Sequence, residues 1–235
     1  MKRLSLIHLS KIEWTDYGVN TYYGCQHACR YCYAKFLMKR YDPQKFFAFP
    51  EPIENAVELA VKEVVIRPPG RIMFCTMTDP YQPIEGKLGL SRKVLEVLLE
   101  SKHHILVCTK SSLVRRDFDL IRQYNNVEVG FTITALTDLP EWEPYALGNT
   151  KRIEALMEAH EVGVKTFVSV EPWIPGVTDP IAIIEKTKRF AGRYIIGKLN
   201  YHGAPTNYYR ERLPSLIRFL ERNNIDFLIK RELLE

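Results

Sequence analysis

The chain has 235 residues, is 46% hydrophobic, and carries 33 lysines and arginines against 28 acidic residues, a formal charge of +5. That is ample apolar material for a large core, the composition is not that of a disordered chain, and the mild positive charge permits an acidic partner without demanding one. No apolar run approaches the roughly 18 residues that span a bilayer, and Met1–Leu9 lacks an A-x-A-like cleavage site, so neither a membrane span nor a signal peptide is expected.

Thr15–Tyr23 reads as a first strand ending at Gly24. Tyr33–Tyr41 reads as a helix, and Asp42-Pro43 and Phe49-Pro50-Glu51-Pro52 break the chain. Glu54–Ile66 has one apolar face, with Ala56, Val57, Ala60, Val61 and Val64 at helical spacing. An alternation then sets in. Strands are expected at Arg71–Met77, Ile105–Cys108, Val127–Ile133, Lys165–Val170 and Tyr194–Leu199. Helices are expected at Ser91–Ser101, Val114–Tyr124, Thr150–Val162 (capped by Gly163), Pro180–Phe190 and Tyr208–Asn223. Phe227–Ile229 is a last strand.

Short apolar runs separated by helices mark parallel βαβ units, and right-handed crossovers curl them. The expected fold is α/β: one domain over residues 1–235, a partial (βα)6-type TIM barrel over about 13–230. A seventh C-terminal strand follows the last helix, and the ring is left open for a large substrate.

The stretch Gly24–Ala34, G-C-Q-H-A-C-R-Y-C-Y-A, holds three of the five cysteines. Gaps of three and two residues suit thiolates converging on one metal centre, and thiolates select iron–sulfur clusters, zinc or copper(I). Three local thiolates leave one iron of a cubane without a cysteine. Two other readings stand beside this one. One is a zinc knuckle completed by a histidine such as His27. The other is an electron-transfer cluster with Cys75 or Cys108 as a distant fourth ligand. An odd, tightly clustered cysteine set fits a reducing, cytoplasmic setting.

The C-x3-C-x2-C spacing, with Tyr31 before the third cysteine, resembles the radical S-adenosylmethionine (SAM) superfamily. The resemblance implies that Cys25, Cys29 and Cys32 hold a [4Fe–4S] cluster whose open iron binds SAM. One electron then cleaves SAM to a 5′-deoxyadenosyl radical. T-D-P-Y-Q-P-I-E at 78–85, T-K-S at 109–111 and E-P-x-I-P-G-x-x-D at 171–179 are similar to the spore photoproduct lyase-like branch. On that likeness Tyr31 sets its backbone near adenine, and Thr78, Asp79, Lys110 and Thr132 touch SAM. Cys75 would return a hydrogen atom to the substrate radical, although its segment is one residue longer than in the lyase, which turns a strand side chain to the other face.

In barrels the active site lies at the C-terminal strand ends, and polar groups follow every expected strand. Asp79 or Glu171 suits the positive groups of SAM, and Lys110 suits its carboxylate. Thr78, Ser111 and Thr134 suit helix caps or loop backbone equally well. Cys108 reads as core, and His103 and His104 as turn residues at the opposite end. Tyr81, Trp173, Tyr201 and His202 fall at the open rim. Basic pairs such as Lys39-Arg40, Arg115-Arg116 and Lys188-Arg189 read as solvated helix faces.

The expectation is a radical SAM enzyme acting on a macromolecule, with nucleic acid ahead of protein on net charge and family likeness. Its electron donor would be of the flavodoxin or ferredoxin kind. The competing expectation is a non-catalytic iron–sulfur or zinc module that binds RNA or a protein. Methylthio transfer needs a second cluster, for which Cys75 and Cys108 are too few.

Overall fold

The computed structural model describes residues 1–37, 43–205 and 207–235. The chain opens with β1 (His8–Leu9), antiparallel to β2 (Tyr17–Val19). A separate ribbon of β3 (Tyr22–Tyr23) and β4 (Glu51–Pro52) brackets the cysteine loop, α1 (Ala34–Leu37) and α2 (Pro43–Ala48). The alternating part runs α3 (Ala56–Val64), β5 (Arg71–Phe74), α4 (Glu85–Leu88), α5 (Leu90–Leu99) and β6 (His104–Thr109). A 3-10 turn at Ser112–Asp117 leads into α6 (Phe118–Ile121), then β7 (Val127–Thr132) and α7 (Asn149–Glu161). It closes with β8 (Thr166–Trp173), α8 (Pro180–Thr187), β9 (Arg193–Lys198), α9 (Tyr208–Arg222), β10 (Phe227–Ile229) and α10 (Arg231–Leu234).

One eight-stranded sheet takes the order β1-β2-β5-β6-β7-β8-β9-β10, and from β2 onward every pairing is parallel. Sequence neighbours are thus spatial neighbours, as successive crossovers of one hand require. The sheet has two edges, so the barrel is partial, as the alternation predicts. Because strand side chains alternate faces, each apolar run feeds two cores. Ile72, Phe74, Val107, Val129 and Val168 pack outward against helices carrying Val94, Leu98 and Leu156. Met73, Leu106, Phe167 and Ile195 point inward around Trp14, whose ring meets Phe167 edge-on at 5.9 Å. Gly130 makes this possible: a Cβ there would lie 2.1 Å from the Phe167 ring. The lower lumen is therefore filled, and open space remains at the C-terminal strand ends.

Several expectations change. The first strand stops at Val19, because the chain leaves the sheet to form the β3–β4 ribbon. The segment expected as a helix from Val114 starts as a 3-10 turn, with the Ser111 side chain accepting from Leu113 N. Arg115 and Arg116 are drawn into ion pairs with Glu158 and with buried Glu85 and Asp117, so this basic pair is not a solvated face. The expected helix from Tyr33 is present over Ala34–Leu37, while its remainder and the Lys39-Arg40 pair lie outside the described residues. His103 is buried, meets the Val64 carbonyl and packs edge-on against Tyr17, so it clamps the core and is no simple turn residue. Tyr81 is fully buried on Asp117 and does not reach the rim.

Candidate active site

The strand ends and the cysteine loop enclose a cavity of about 240 Å³. Cys25, Cys29 and Cys32 form one wall. Their loop is held from three directions. Gly24 turns the chain at φ +98, where a Cβ would lie 2.4 Å from the Phe46 carbonyl oxygen, and Cys25 N donates to that oxygen at 3.0 Å. The loop after β5 supplies the second hold. The Thr78 hydroxyl and Gln82 Nε2 donate to the Gly24 carbonyl, and Gln26 N donates to Gln82 Oε1 at 2.8 Å. The loop after β7 supplies the third, with Arg30 N donating to the Trp142 carbonyl at 2.8 Å. The T-D-P-Y-Q-P-I-E stretch thus works first as a bracket for the cysteine loop.

Asp79 lines the cavity but faces the protein. It accepts from Tyr81 N and from the Thr109 hydroxyl (2.9 and 2.7 Å), and from Lys110 N at 2.8 Å. Its Oδ2 also lies 3.3 Å from His27 Nδ1. Burial alone would raise this carboxyl, but His27 and the donated hydrogen bonds outweigh it and hold it at about 2. His27, the alternative zinc ligand of the sequence reading, is spent on Asp79.

Lys110 is the opposite case. Its ammonium lines the cavity 5.6 Å from the centroid of the Tyr31 ring, with no carboxylate bound to it among the described residues. Burial pulls it down, but Cys29 and Glu143 outweigh that and keep it charged. Thr132 lines the cavity beside Cys108, whose Sγ is 3.5 Å from the Thr132 hydroxyl. Glu171 lies over Gly197, where a Cβ would come within 2.5 Å of Oε1. Glu171 is ion-paired with Lys230 from the end of β10.

The two remaining cysteines, Cys75 and Cys108, both line the cavity. Cys75 sits at φ +67, with its thiol 3.5 Å from the Thr21 hydroxyl and its side chain among the outward-facing core residues. Burial pushes that thiol up to about 12. Cys108 is half-buried, packs with the inward-facing residues and lines the cavity, so it is not plain core.

Glu143, Trp142, Arg152 and Lys230 belong to the site or its support and were missed in the sequence. Arg152 had a signal: it shares the buried stripe of α7 with Leu156 and Ala159, an unusual place for a charge. Lys230 had none, because its role depends on β10 lying beside β9.

The chemistry of the donor set fits a cluster. Among the described residues, no three His, Cys, Asp or Glu side chains gather around a single ion. A cubane asks instead for one thiolate on each of three irons. Cys25, Cys29 and Cys32 line one wall and lie close enough to act on one another electrostatically. Burial pushes the Cys25 thiol up and the Cys29 thiol up to about 12, so metal binding must displace their protons.

The chain is similar to several known proteins. An uncharacterized protein of Methanocaldococcus jannaschii is 36% identical over 196 residues, covering 83% of this chain and 74% of that protein. An uncharacterized protein of Mycobacterium tuberculosis is 30% identical over 173 residues, 69% of this chain, but this chain spans only 51% of its length. A solved structure of a spore photoproduct lyase mutant with bound AdoMet and dinucleoside spore photoproduct shares the fold. Its TM-score is 0.72 at 15% identity, covering 97% of this chain and 80% of that one. The family description "Radical SAM superfamily" matches residues 19–225. This chain belongs to the radical SAM superfamily: it is an enzyme of that class, and its cofactors are a [4Fe–4S] cluster and S-adenosylmethionine.

Proposed function

We propose that Cys25, Cys29 and Cys32 hold the cluster, and that SAM lies between the cysteine loop and the ends of β6 and β7. In this reading the substrate is a macromolecule, nucleic acid before protein, admitted through the open side of the barrel. Residues 1–235 are one radical SAM core in this reading. The observation that carries it is the joint lining of one cavity by the three thiols and by Lys110, a cation to which no carboxylate is bound among the described residues.

When bound, the cluster supplies one electron for reductive cleavage of SAM and so a 5′-deoxyadenosyl radical; the remaining work falls to the chain. Lys110 binds the SAM carboxylate by a charge-assisted hydrogen bond. The Thr132 hydroxyl offers a second polar contact, and Tyr31 lines the same wall with its ring fixed between Trp142 and Lys110. Thr78 and Asp79 act through the protein: Thr78 holds Gly24, and Asp79 ties His27 to the start of the loop after β6. Glu171, Lys230 and Lys198 form the far wall, where substrate enters.

The rim supports nucleic acid. Tyr201 is 58% exposed and stacks on Phe36 at 4.8 Å, and Phe36 meets His202, which meets Trp142. The Lys35 ammonium lies over Phe36 at 4.9 Å, and Arg30 is exposed beside it in the loop. Aromatic platforms with interleaved cations are how single strands are held. Among the described residues no helix is long and apolar enough to cross a membrane. The five free cysteines support a cytoplasmic setting, where a flavodoxin- or ferredoxin-type donor would supply the electron.

The test is anaerobic reconstitution with iron and sulfide, then reduction in the presence of SAM. About four irons per chain are expected, with 5′-deoxyadenosine formed by the native chain and absent in Cys29→Ala. Zinc in place of iron, or a cluster that never cleaves SAM, would overturn the assignment. Binding of single-stranded RNA or DNA with a steep salt slope supports the nucleic-acid reading, and salt-independent peptide binding opposes it.

A further inference from the structure

Behind the cysteine loop lies a buried ionic network that radical chemistry does not itself demand. Arg152 Nη2 donates to Glu143 Oε2 at 2.5 Å, and the two side chains are 0% and 2% exposed. Arg152 Nη1 donates to the Thr132 carbonyl and to Asn149 Oδ1, both at 3.1 Å. Glu143 Oε1 accepts from the Thr134 hydroxyl at 3.0 Å and from the Tyr31 hydroxyl. Tyr31 is then stacked on Trp142 with centroids 6.4 Å apart, while Trp142 holds Arg30 through its carbonyl. The two residues between Cys29 and Cys32 are therefore both fastened to the segment that carries Glu143.

Burying such a pair is expensive, and apolar residues of similar volume often serve a core as well or better. Geometry alone would be met by a neutral hydrogen-bond partner for Tyr31. The position of the charge is the distinguishing feature. Glu143 bonds to Arg152 and to the Tyr31 hydroxyl, Lys110 lies 5.6 Å from the centroid of the Tyr31 ring, and that ring packs with Cys29 and Cys32, so two cations and one anion gather behind the cysteine wall.

Resting on the assignment of Cys25, Cys29 and Cys32 to the cluster, we propose that Glu143 is a positioning residue with an electrostatic task. It fastens Tyr31, and its charge offsets Arg152 and Lys110 so that the cluster's reduction potential stays low. Reduction adds negative charge, which a nearby carboxylate opposes and nearby cations favour. A low potential makes the reduced cluster a stronger donor to SAM.

The experiment is an anaerobic redox titration of the reconstituted chain without SAM, followed by electron paramagnetic resonance of the reduced cluster, with iron counted in each sample. Glu143→Gln keeps the shape and an acceptor oxygen but removes the charge. Its midpoint is expected to rise by an amount equal to a tenfold easier reduction, about 59 mV for one electron. The double variant Glu143→Gln/Arg152→Met restores neutrality and is expected to return toward the native value. Lys110→Met leaves the buried pair intact and is expected to lower the midpoint. An unchanged midpoint in iron-replete Glu143→Gln, or a double variant that stays raised, overturns the proposal. If Glu143→Gln does not fold, the other two variants decide: a neutralised pair at the native value with a lowered Lys110→Met supports it, and Lys110→Met at the native midpoint overturns it. Failure of the folded native chain to take up iron would overturn the cysteine assignment beneath the proposal, a distinguishable result.

Discussion

Lys110 shows how a single side chain reveals a site by what it lacks. A buried or half-buried cation is ordinarily paired, because desolvation without compensation is costly. Here, among the described residues, no carboxylate is bound to the ammonium, which meets the face of Tyr31 and the open cavity while Glu143 acts on it without a hydrogen bond. If it holds the SAM carboxylate, Lys110→Met removes a charged hydrogen bond worth roughly 1.5–3 kcal/mol. The KM for SAM is then expected to rise tenfold or more, read from 5′-deoxyadenosine formation at varied SAM, with iron content unchanged. Lys110 was legible in the sequence because a lysine directly after an apolar strand must emerge at the barrel rim. Cys75 was not. Its φ of +67 takes it out of strand alternation, so counting residues along the strand does not tell which way its thiol turns. Cys108, still inside a regular strand, keeps its alternation and opens onto the cavity.

At the scale of elements, the loops after the strands carry the site by bracing one another. The cysteine loop is fixed by the loops after β5 and β7 and by α2, contacts between segments far apart in sequence. Gly24 is where this bracing is tightest. A side chain there meets both an unfavourable φ and the Phe46 carbonyl. Gly24→Ala is therefore expected to leave secondary structure intact by circular dichroism but to lose most iron on reconstitution. Full iron loading would show that the loop re-forms without the turn. The E-W-E-P of the loop after β7 has no periodicity, and nothing along the chain singles out Glu143. Its function appears only once Glu143 is seen to meet Arg152, a residue that helical spacing puts in the core.

At the scale of the molecule, the buried ionisable groups set the pH limits. The Asp79 carboxyl falls from 3.8 to about 2 on folding, because His27 and its hydrogen bonds outweigh burial. A depressed carboxyl stabilises the fold above its unfolded value and loses that contribution as pH falls through the native one, here between about 4 and 2. The shift corresponds to about 2 kcal/mol. The melting temperature of the native chain should fall over that interval, and Asp79→Asn should flatten the fall. The Cys29 thiol works in the other direction. Its raised value favours the metal-free fold below about 9, and that contribution is lost toward 12.

The amino-acid sequence by itself determined the cysteine triad, the alternation of strands and helices, and the rim that bears the chemistry. These are local properties, carried by spacing, by apolar runs and by breaks at proline and glycine. It also carried the family, because the motif lies within a few consecutive residues. Only the tertiary structure decided how polar rim residues divide between binding and bracing. Asp79 and Thr78 turn to the protein, Lys110 turns to the cavity, and Glu171 is claimed by Lys230 from the last strand. The physical reason is that a carboxylate or hydroxyl is free for a ligand only when no donor or acceptor from another strand reaches it first. That competition is settled between segments tens to hundreds of residues apart, where no pattern along the chain records the outcome.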